Sequence, residues 1–203
     1  MNKVISDLKN NPIKQYPTIG VCGLDCGLCP RYYTVGPSRC PGCAGPGFFE
    51  KHPSCFFITC AVKQKNLEVC VECSDFPCHK FKSEAEYQQL DESPSYPSYR
   101  KVLPNFNYIK EYGIKKFIEQ QKERIRLLEI MRANFDDGRS RSFFCRAANL
   151  LEITDIKDAL DEAARKINNE KIQQNDVKTR AKILRETLLS VALREGIELI
   201  KKR

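Results

Sequence analysis

The sequence lacks any apolar stretch near the ~20 residues that a membrane-spanning helix needs, and its N-terminus carries no apolar leader segment. It also lacks tryptophan, an internal repeat and a low-complexity tract, and it has only two histidines. We therefore predict a cytoplasmic protein with no membrane contact. The composition, 41% hydrophobic and 30% charged over 203 residues, fits one or two globular domains.

Cysteine is what the sequence has in excess. Ten of its eleven cysteines are spaced as Cys22-x3-Cys26-x2-Cys29, Cys40-x2-Cys43, Cys55-x4-Cys60 and Cys70-x2-Cys73-x4-Cys78. A C-x2-C turn can supply two thiolates to one metal ion, and a reducing cytosol keeps thiols from pairing. The pattern therefore predicts that these ten cysteines bind metal. The odd total is unfavourable for a disulfide scaffold.

Zinc is the metal that this pattern favours, because four thiolates complete its tetrahedral coordination. The number of cysteines predicts about two ions. Pairing nearest neighbours gives one site from Cys26, Cys29, Cys40 and Cys43 and a second from Cys60, Cys70, Cys73 and Cys78. This pairing leaves Cys22 and Cys55 over, and arrangements in which either replaces a ligand remain open.

An iron–sulfur cluster is the alternative cofactor. Cys22-x3-Cys26-x2-Cys29 matches the spacing by which radical S-adenosylmethionine enzymes hold a four-iron cluster. Leu28, however, stands where those enzymes usually carry an aromatic residue, and no run of alternating strands and helices follows. The alternative function is therefore a redox protein or enzyme, in one of two forms. Either a three-cysteine cluster binds substrate at its open iron, or Cys22 or Cys55, left outside both metal sites, acts as a nucleophile or redox partner.

Three segments are predicted along the chain. Residues 1–91 form a small, irregular cysteine-rich domain with short helices, one of them at residues 59–66, because Gly, Pro and Cys interrupt every longer periodic run. Its apolar residues are too few to fold it without bound metal. Residues 92–104 form a Pro/Ser/Tyr linker, since two prolines disfavour helix before them. Residues 105–203 form an all-α domain, so the fold is mainly α overall.

Apolar residues at steps of three and four predict the helices of the last segment. The first runs from Asn107 to Phe135, with Gly113 as a break or restart. The expected caps of the next three are Ser142, Thr154 and Asp176, and Gly196 ends the last of them. The tail at 197–200 fits either a short strand or a frayed turn.

The charge is uneven, since residues 1–92 have no net charge and residues 93–203 carry the whole excess of +8. A basic half allows nucleic-acid binding. Acidic residues nevertheless alternate with basic ones along the helices, as on a solvated face, so we expect a protein partner before a nucleic acid. The sequence favours a structural, binding or regulatory role over catalysis.

Two further features lie in the basic half. Arg139, Ser140, Arg141 and Ser142 stand just before a predicted helix and form a candidate anion-binding turn, with a solvated basic turn as the alternative. The eleventh cysteine, Cys145, lies in an apolar stretch of that helix. It is predicted to be a core thiol.

One resemblance is carried by a longer pattern. Its parts are Val21-Cys22-Gly23-Leu24-Asp25-Cys26-Gly27-Leu28-Cys29-Pro30, Cys40-Pro41-Gly42-Cys43, Cys55 to Cys60-Ala61, and Cys70-Val71-Glu72-Cys73-x2-Phe76-Pro77-Cys78-His79. They resemble a cysteine-rich prokaryotic family known as domain of unknown function 3795, over roughly residues 20–122. The resemblance implies a metal-binding module of prokaryotic origin with the ten cysteines as ligands. It implies no activity and no catalytic residue.

Overall fold

A computed structural model describes residues 13–52, 55–83, 85–87, 89 and 98–200. It divides the chain into two compact units, Met1–Glu119 and Gln120–Arg203. Within the described residues the secondary structure is helices and turns with no β-strand, so the predicted mainly α fold is confirmed. None of these helices is both long and apolar enough to cross a membrane.

The first unit begins with short, irregular elements. Three 3₁₀ turns span Cys26–Leu28, Pro30–Tyr33 and Cys70–Glu72. Helix α1 spans Phe48–Lys51, and α2, a π-helix, spans Ile58–Gln64, which confirms the predicted short helix at 59–66. Helix α3 spans Val102–Tyr112, and Ile114 begins helix α4, which ends at Phe135 in the second unit. The predicted irregular character of the cysteine-rich segment is therefore confirmed.

The break at Gly113 separates α3 from α4, as the sequence predicted. Its φ of +83° is one that glycine adopts without strain, and its amide donates to the Ile109 carbonyl at 2.8 Å. Helix α3 begins five residues before the predicted Asn107, within the predicted linker, because Val102 and Phe106 are buried. Linker residues 92–97 lie outside the described residues.

Two apolar clusters lie inside the first unit. The smaller has five buried members, Val21, Ala44, Ile58, Ala61 and Val62. The larger joins residues near the cysteines to the following helices, through Ile19, Val69, Tyr87, Val102, Phe106, Ile109, Phe117 and Ile118. Phe106 meets the rings of Phe76 and Phe81, each with its centroid 5.1 Å away. The cysteine-rich segment therefore draws much of its core from helix α3.

The second unit contains the remainder of α4 and three further helices, α5 at Arg141–Leu150, α6 at Ile153–Asn169 and α7 at Val177–Arg194. The Asp176 cap is confirmed, since its carboxylate accepts the Thr179 amide at 3.2 Å. The caps predicted at Ser142 and Thr154 are wrong by two residues each, because Ser140 and Glu152 precede these helices. The tail at 197–200 forms no strand.

Glu123 on α4 holds two cations of the second unit. Its carboxylate lies 2.7 Å from Arg126 Nε and 2.9 Å from Lys157 Nζ. Arg126, and then Lys157, lower the pKa of Glu123 from 4.5 to about 2. Because this pKa is lower in the folded state, the stabilisation is full above about pH 4.5 and is lost as the pH falls through 2.

We therefore expect Glu123→Gln to lower the free energy of unfolding by up to about 1 kcal/mol at pH 7, the range for partly exposed ion pairs. Urea denaturation at pH 7 and at pH 2 measures the effect, which should be much smaller at the lower pH, where about half of the folded molecules carry a protonated Glu123. Glu186→Gln is the control, because Glu186 lies 3.9 Å from Lys182 with both side chains largely exposed. Equal losses in both variants would contradict the prediction.

Candidate metal centre

All ten clustered cysteines lie in the first unit and are partly exposed, whereas Cys145 is buried in α5, as predicted for a core thiol. None of the eleven, all of which belong to the described residues, forms a disulfide. Within the described residues, no three Cys, His, Asp or Glu side chains already stand at the spacing of metal ligands. The cysteines nevertheless fall into two neighbourhoods.

The first cysteine group consists of Cys22, Cys26, Cys29, Cys40, Cys43 and Cys55. Burial raises the pKa of the Cys22 thiol to about 11, and the charges of Cys43 and Cys55 add to the rise. Burial likewise raises the pKa of Cys26, with further contributions from Cys43 and Cys22. The two cysteines that the sequence pairing left over thus lie near the predicted first site.

Hydrogen bonds hold the Cys40-x2-Cys43 segment of this group in place. The Cys43 amide donates to the Pro17 carbonyl at 2.8 Å, and the Cys40 amide donates to the Arg31 carbonyl at 3.0 Å. The Val21 amide donates to Cys43 Sγ at 3.4 Å. Such N–H···S contacts are those that orient thiolates around a metal.

Lys14 supplies a positive charge to the first cysteine group. Its side chain is 3% exposed, and Nζ donates to the Ile19 carbonyl at 2.6 Å. Its charge lowers the pKa values of Cys26 and Cys43 against the larger effect of burial. A buried ammonium group therefore partly offsets the charge of thiolates here. Sequence reasoning missed Lys14, because nothing in the spacing marks it as buried.

Asp25 directly precedes Cys26 in the sequence, but its carboxylate interacts with helix α3. Its Oδ2 accepts a hydrogen bond at 2.8 Å from Asn105 Nδ2, which also donates to the Gly23 carbonyl at 2.9 Å. Both side chains are buried. Asn105 lies on α3, so this contact fixes the loop of the first cysteines on that helix.

The second cysteine group consists of Cys60, Cys70, Cys73 and Cys78, the four residues of the predicted second site. All four line one partly enclosed pocket. Burial raises the pKa of Cys70 to about 12, with added contributions from Cys22 and Cys78. The Cys70 amide donates to the Val21 carbonyl at 2.9 Å, so the two groups are neighbours along the fold.

Lys65 and Asp75 stand beside this second group. Lys65 Nζ lies 3.0 Å from Cys73 Sγ and 2.7 Å from Asp75 Oδ2. The Lys65 ammonium is the main cause that lowers the pKa of Asp75. This contact could not be predicted from the sequence, because Cys73 lies eight positions after Lys65 along an irregular backbone.

The candidate anion-binding turn holds carboxylates of its own. Asp136 accepts the Gly138 amide and Asp137 accepts the Arg139 amide, each at 3.0 Å. Ser140 is fully buried. These two carboxylates accept hydrogen bonds from backbone amides that a bound anion would need. Anion binding by Arg139, Ser140, Arg141 and Ser142 stays a prediction.

Comparisons with known proteins give one match. Searches of curated proteins and of solved structures returned no match. The one match covers all ten clustered cysteines but stops short of α3, so it includes a third of the chain. The predicted extension of the resemblance to residue 122 lies outside this match. Over the cysteine pattern the resemblance is confirmed: residues 18–83 match the family model described as "Protein of unknown function (DUF3795)".

Proposed function

We propose that residues 18–83 form a metal-binding module in which thiolates of the first cysteine group hold zinc, and that the module acts by binding rather than catalysis. One observation carries the proposal. Six thiols lie in one neighbourhood, beside an apolar cluster of only five buried residues. Bound zinc contributes on the order of 10 kcal/mol, coupled to folding.

The donors of this group suit zinc. Thiolates are preferred zinc ligands, and the amide donor to Cys43 and the ammonium group of Lys14 both favour the charged sulfurs. Because burial raises the pKa of these thiols, zinc must displace their protons when it binds. Zinc with four thiolate ligands has no open position for water, which supports a structural role.

The surface next to the first cysteine group supports a protein partner. Val35 is 90% exposed at the tip of the loop between Cys29 and Cys40. Arg39 braces this loop, since Nε donates to the Tyr32 carbonyl at 3.1 Å and the guanidinium group lies 5.5 Å from the Tyr32 ring centroid. A braced loop with an exposed apolar tip can dock on another protein with little loss of conformational entropy.

Metal analysis of the reduced full-length protein, purified without oxygen, tests the proposal. The wild type is expected to contain zinc, and Cys26→Ser and Cys43→Ser should each lose about one zinc per chain, because each removes a ligand. Cys145→Ala is the matched control and should keep the wild-type content, since Cys145 is buried in α5. A wild type without zinc, or Cys26→Ser and Cys43→Ser with unchanged zinc, would contradict the proposal.

A further inference from the structure

The second cysteine group surrounds a cavity. The cavity has a volume of about 320 Å³, and its walls include the rings of Phe56, Phe57 and Phe76. All four cysteines of the group contribute to its lining. Because the four cysteines line one apolar cavity, the volume of that cavity limits the size of the group that they could bind together.

A single zinc ion does not account for this space. At a Zn–S distance of ~2.3 Å, four sulfurs around one ion touch one another and leave no room between them. One water takes up ~30 Å³ of the liquid, so a cavity of about 320 Å³ holds a much larger group. Polynuclear iron–sulfur clusters are held by four cysteines and are tuned by the polarity of their surroundings.

Lys65 adds a second, independent feature. Its ammonium group donates to Cys73 Sγ at 3.0 Å at the edge of this cavity, and Asp75 holds it there at 2.7 Å. Hydrogen bonds to ligand sulfurs stabilise the reduced, more negative form of a cluster. A cation held by a carboxylate is thus aimed at one of the four sulfurs.

We propose that Cys60, Cys70, Cys73 and Cys78 hold an iron–sulfur cluster, with Lys65 as a positioning residue that raises its reduction potential. The inference rests on the proposed function in that thiolates of the same module bind metal, but it assigns the two cysteine groups different occupants. Each thiol and each hydrosulfide loses its proton as its sulfur binds iron, and a mixture of ferrous and ferric iron supplies the oxidation state of the cluster, so assembly needs no further oxidant. The sequence had placed the cluster alternative at Cys22, Cys26 and Cys29, and the cavity places it at the second group.

The test is reconstitution of the reduced full-length protein with ferrous iron, ferric iron and sulfide in the presence of equimolar zinc. We expect iron and sulfide in equal amounts, two or four of each per chain, with a visible absorption band that dithionite bleaches. Cys73→Ser and Cys78→Ser should lose the iron and the band but keep zinc. Cys26→Ser should lose zinc but keep the band, so the two groups are tested separately.

Several results would overturn the inference. The second group could bind zinc in place of iron, or it could bind zinc together with a small organic molecule in the cavity. The visible absorption band could also survive in both Cys73→Ser and Cys78→Ser. A wild type that shows the band but binds no zinc at the first group would instead refute the proposed function alone. If a cysteine variant does not fold, the iron and sulfide content of the wild type still decides.

The role of Lys65 is tested separately, by the midpoint potential of the cluster. Lys65→Met keeps every thiol and should give a lower midpoint potential than the wild type in a redox titration of the cluster, because the reduced form loses a charged donor. Lys63→Met is the matched control two residues earlier, on α2, since Lys63 lies over the Phe49 ring at 4.8 Å. Equal potentials in the two variants would remove Lys65 from the inference.

Discussion

Chelation of the bound metal from the reduced protein is expected to unfold the cysteine-rich segment and to leave the helices of residues 120–203 folded. The smaller apolar cluster of the segment has five members, of which two are alanines, and the larger cluster takes only Ile19, Val69 and Tyr87 from the segment. The apolar surface that the segment itself buries is therefore small against the entropy of ordering about sixty residues. Zinc binding contributes on the order of 10 kcal/mol, comparable with the whole stability of a domain.

Hydrogen exchange by mass spectrometry measures this result. The amide of Gly27, bonded to the Thr18 carbonyl at 2.7 Å, and that of Cys70, bonded to the Val21 carbonyl, should exchange ~100-fold faster or more after chelation. That factor corresponds to a local loss of about 3 kcal/mol. Amides of α7, whose buried face includes Leu184 and Leu188, serve as the internal control.

Returning zinc and iron with sulfide should restore protection, which separates metal loss from oxidation or chelator binding. Unchanged exchange in residues 18–83 after complete removal of metal would mean that the apolar clusters suffice. The helix α3 cluster around Phe106 would then be the source of stability. This outcome would remove the physical basis of the structural role.

Helix boundaries were predictable where the signal is local. Asp176 can bond an amide three residues ahead, and Gly113 can adopt a positive φ, so both mark an end whatever the rest of the chain does. Ser142 and Thr154 were plausible caps by the same rule. In the fold the two helices begin two residues earlier, after Ser140, which is fully buried, and after Glu152.

The sequence predicted which cysteines share the second group, but it did not predict how their side chains are arranged. The spacing separated Cys60, Cys70, Cys73 and Cys78 from the other cysteines, and these four indeed line one pocket. Spacing carries no information on the space between side chains, so the cavity could not be predicted. Lys14 and Lys65 were missed for a related reason, since their contacts depend on tertiary packing.

The apolar core of the cysteine-rich segment was also predicted incompletely from the sequence. Counting apolar residues between the cysteines left out Phe106, which lies beyond the predicted linker yet packs against Phe76 and Phe81. A residue eighty or so positions from the first cysteine gives no periodic signal in the cysteine-rich segment. The predicted dependence on metal is thus a balance between this added core and the metal bonds.

The substitution Gly42→Ala, which adds one methyl group in the Cys40–Cys43 turn, is expected to have the second large effect on stability. Gly42 has a φ of +87°, and a Cβ there would overlap the Pro17 carbonyl oxygen. That same oxygen accepts the Cys43 amide at 2.8 Å. Gly42→Ala must therefore move either residue 17 or the backbone that carries the Cys43 thiol, while also imposing a strained φ.

Gly36 offers a control in the preceding loop. Its φ of +88° is nearly the same, but a Cβ there would meet nothing within 4 Å. Gly36→Ala therefore isolates the strain of φ, about 1–2 kcal/mol, from the overlap at Gly42, which adds about 1–3 kcal/mol. The difference between the variants measures how firmly the turn is held against residue 17.

We expect Gly42→Ala to lower the free energy of unfolding of the zinc-loaded protein by about 3–5 kcal/mol and Gly36→Ala by about 1–2 kcal/mol. Guanidinium denaturation gives both values, and competition with a chromophoric chelator gives zinc affinity. Only Gly42→Ala should weaken zinc binding, because only it displaces a thiol of the first cysteine group. If both variants bound zinc as the wild type does, the Cys43 thiol would not be a zinc ligand, since its turn could move without consequence.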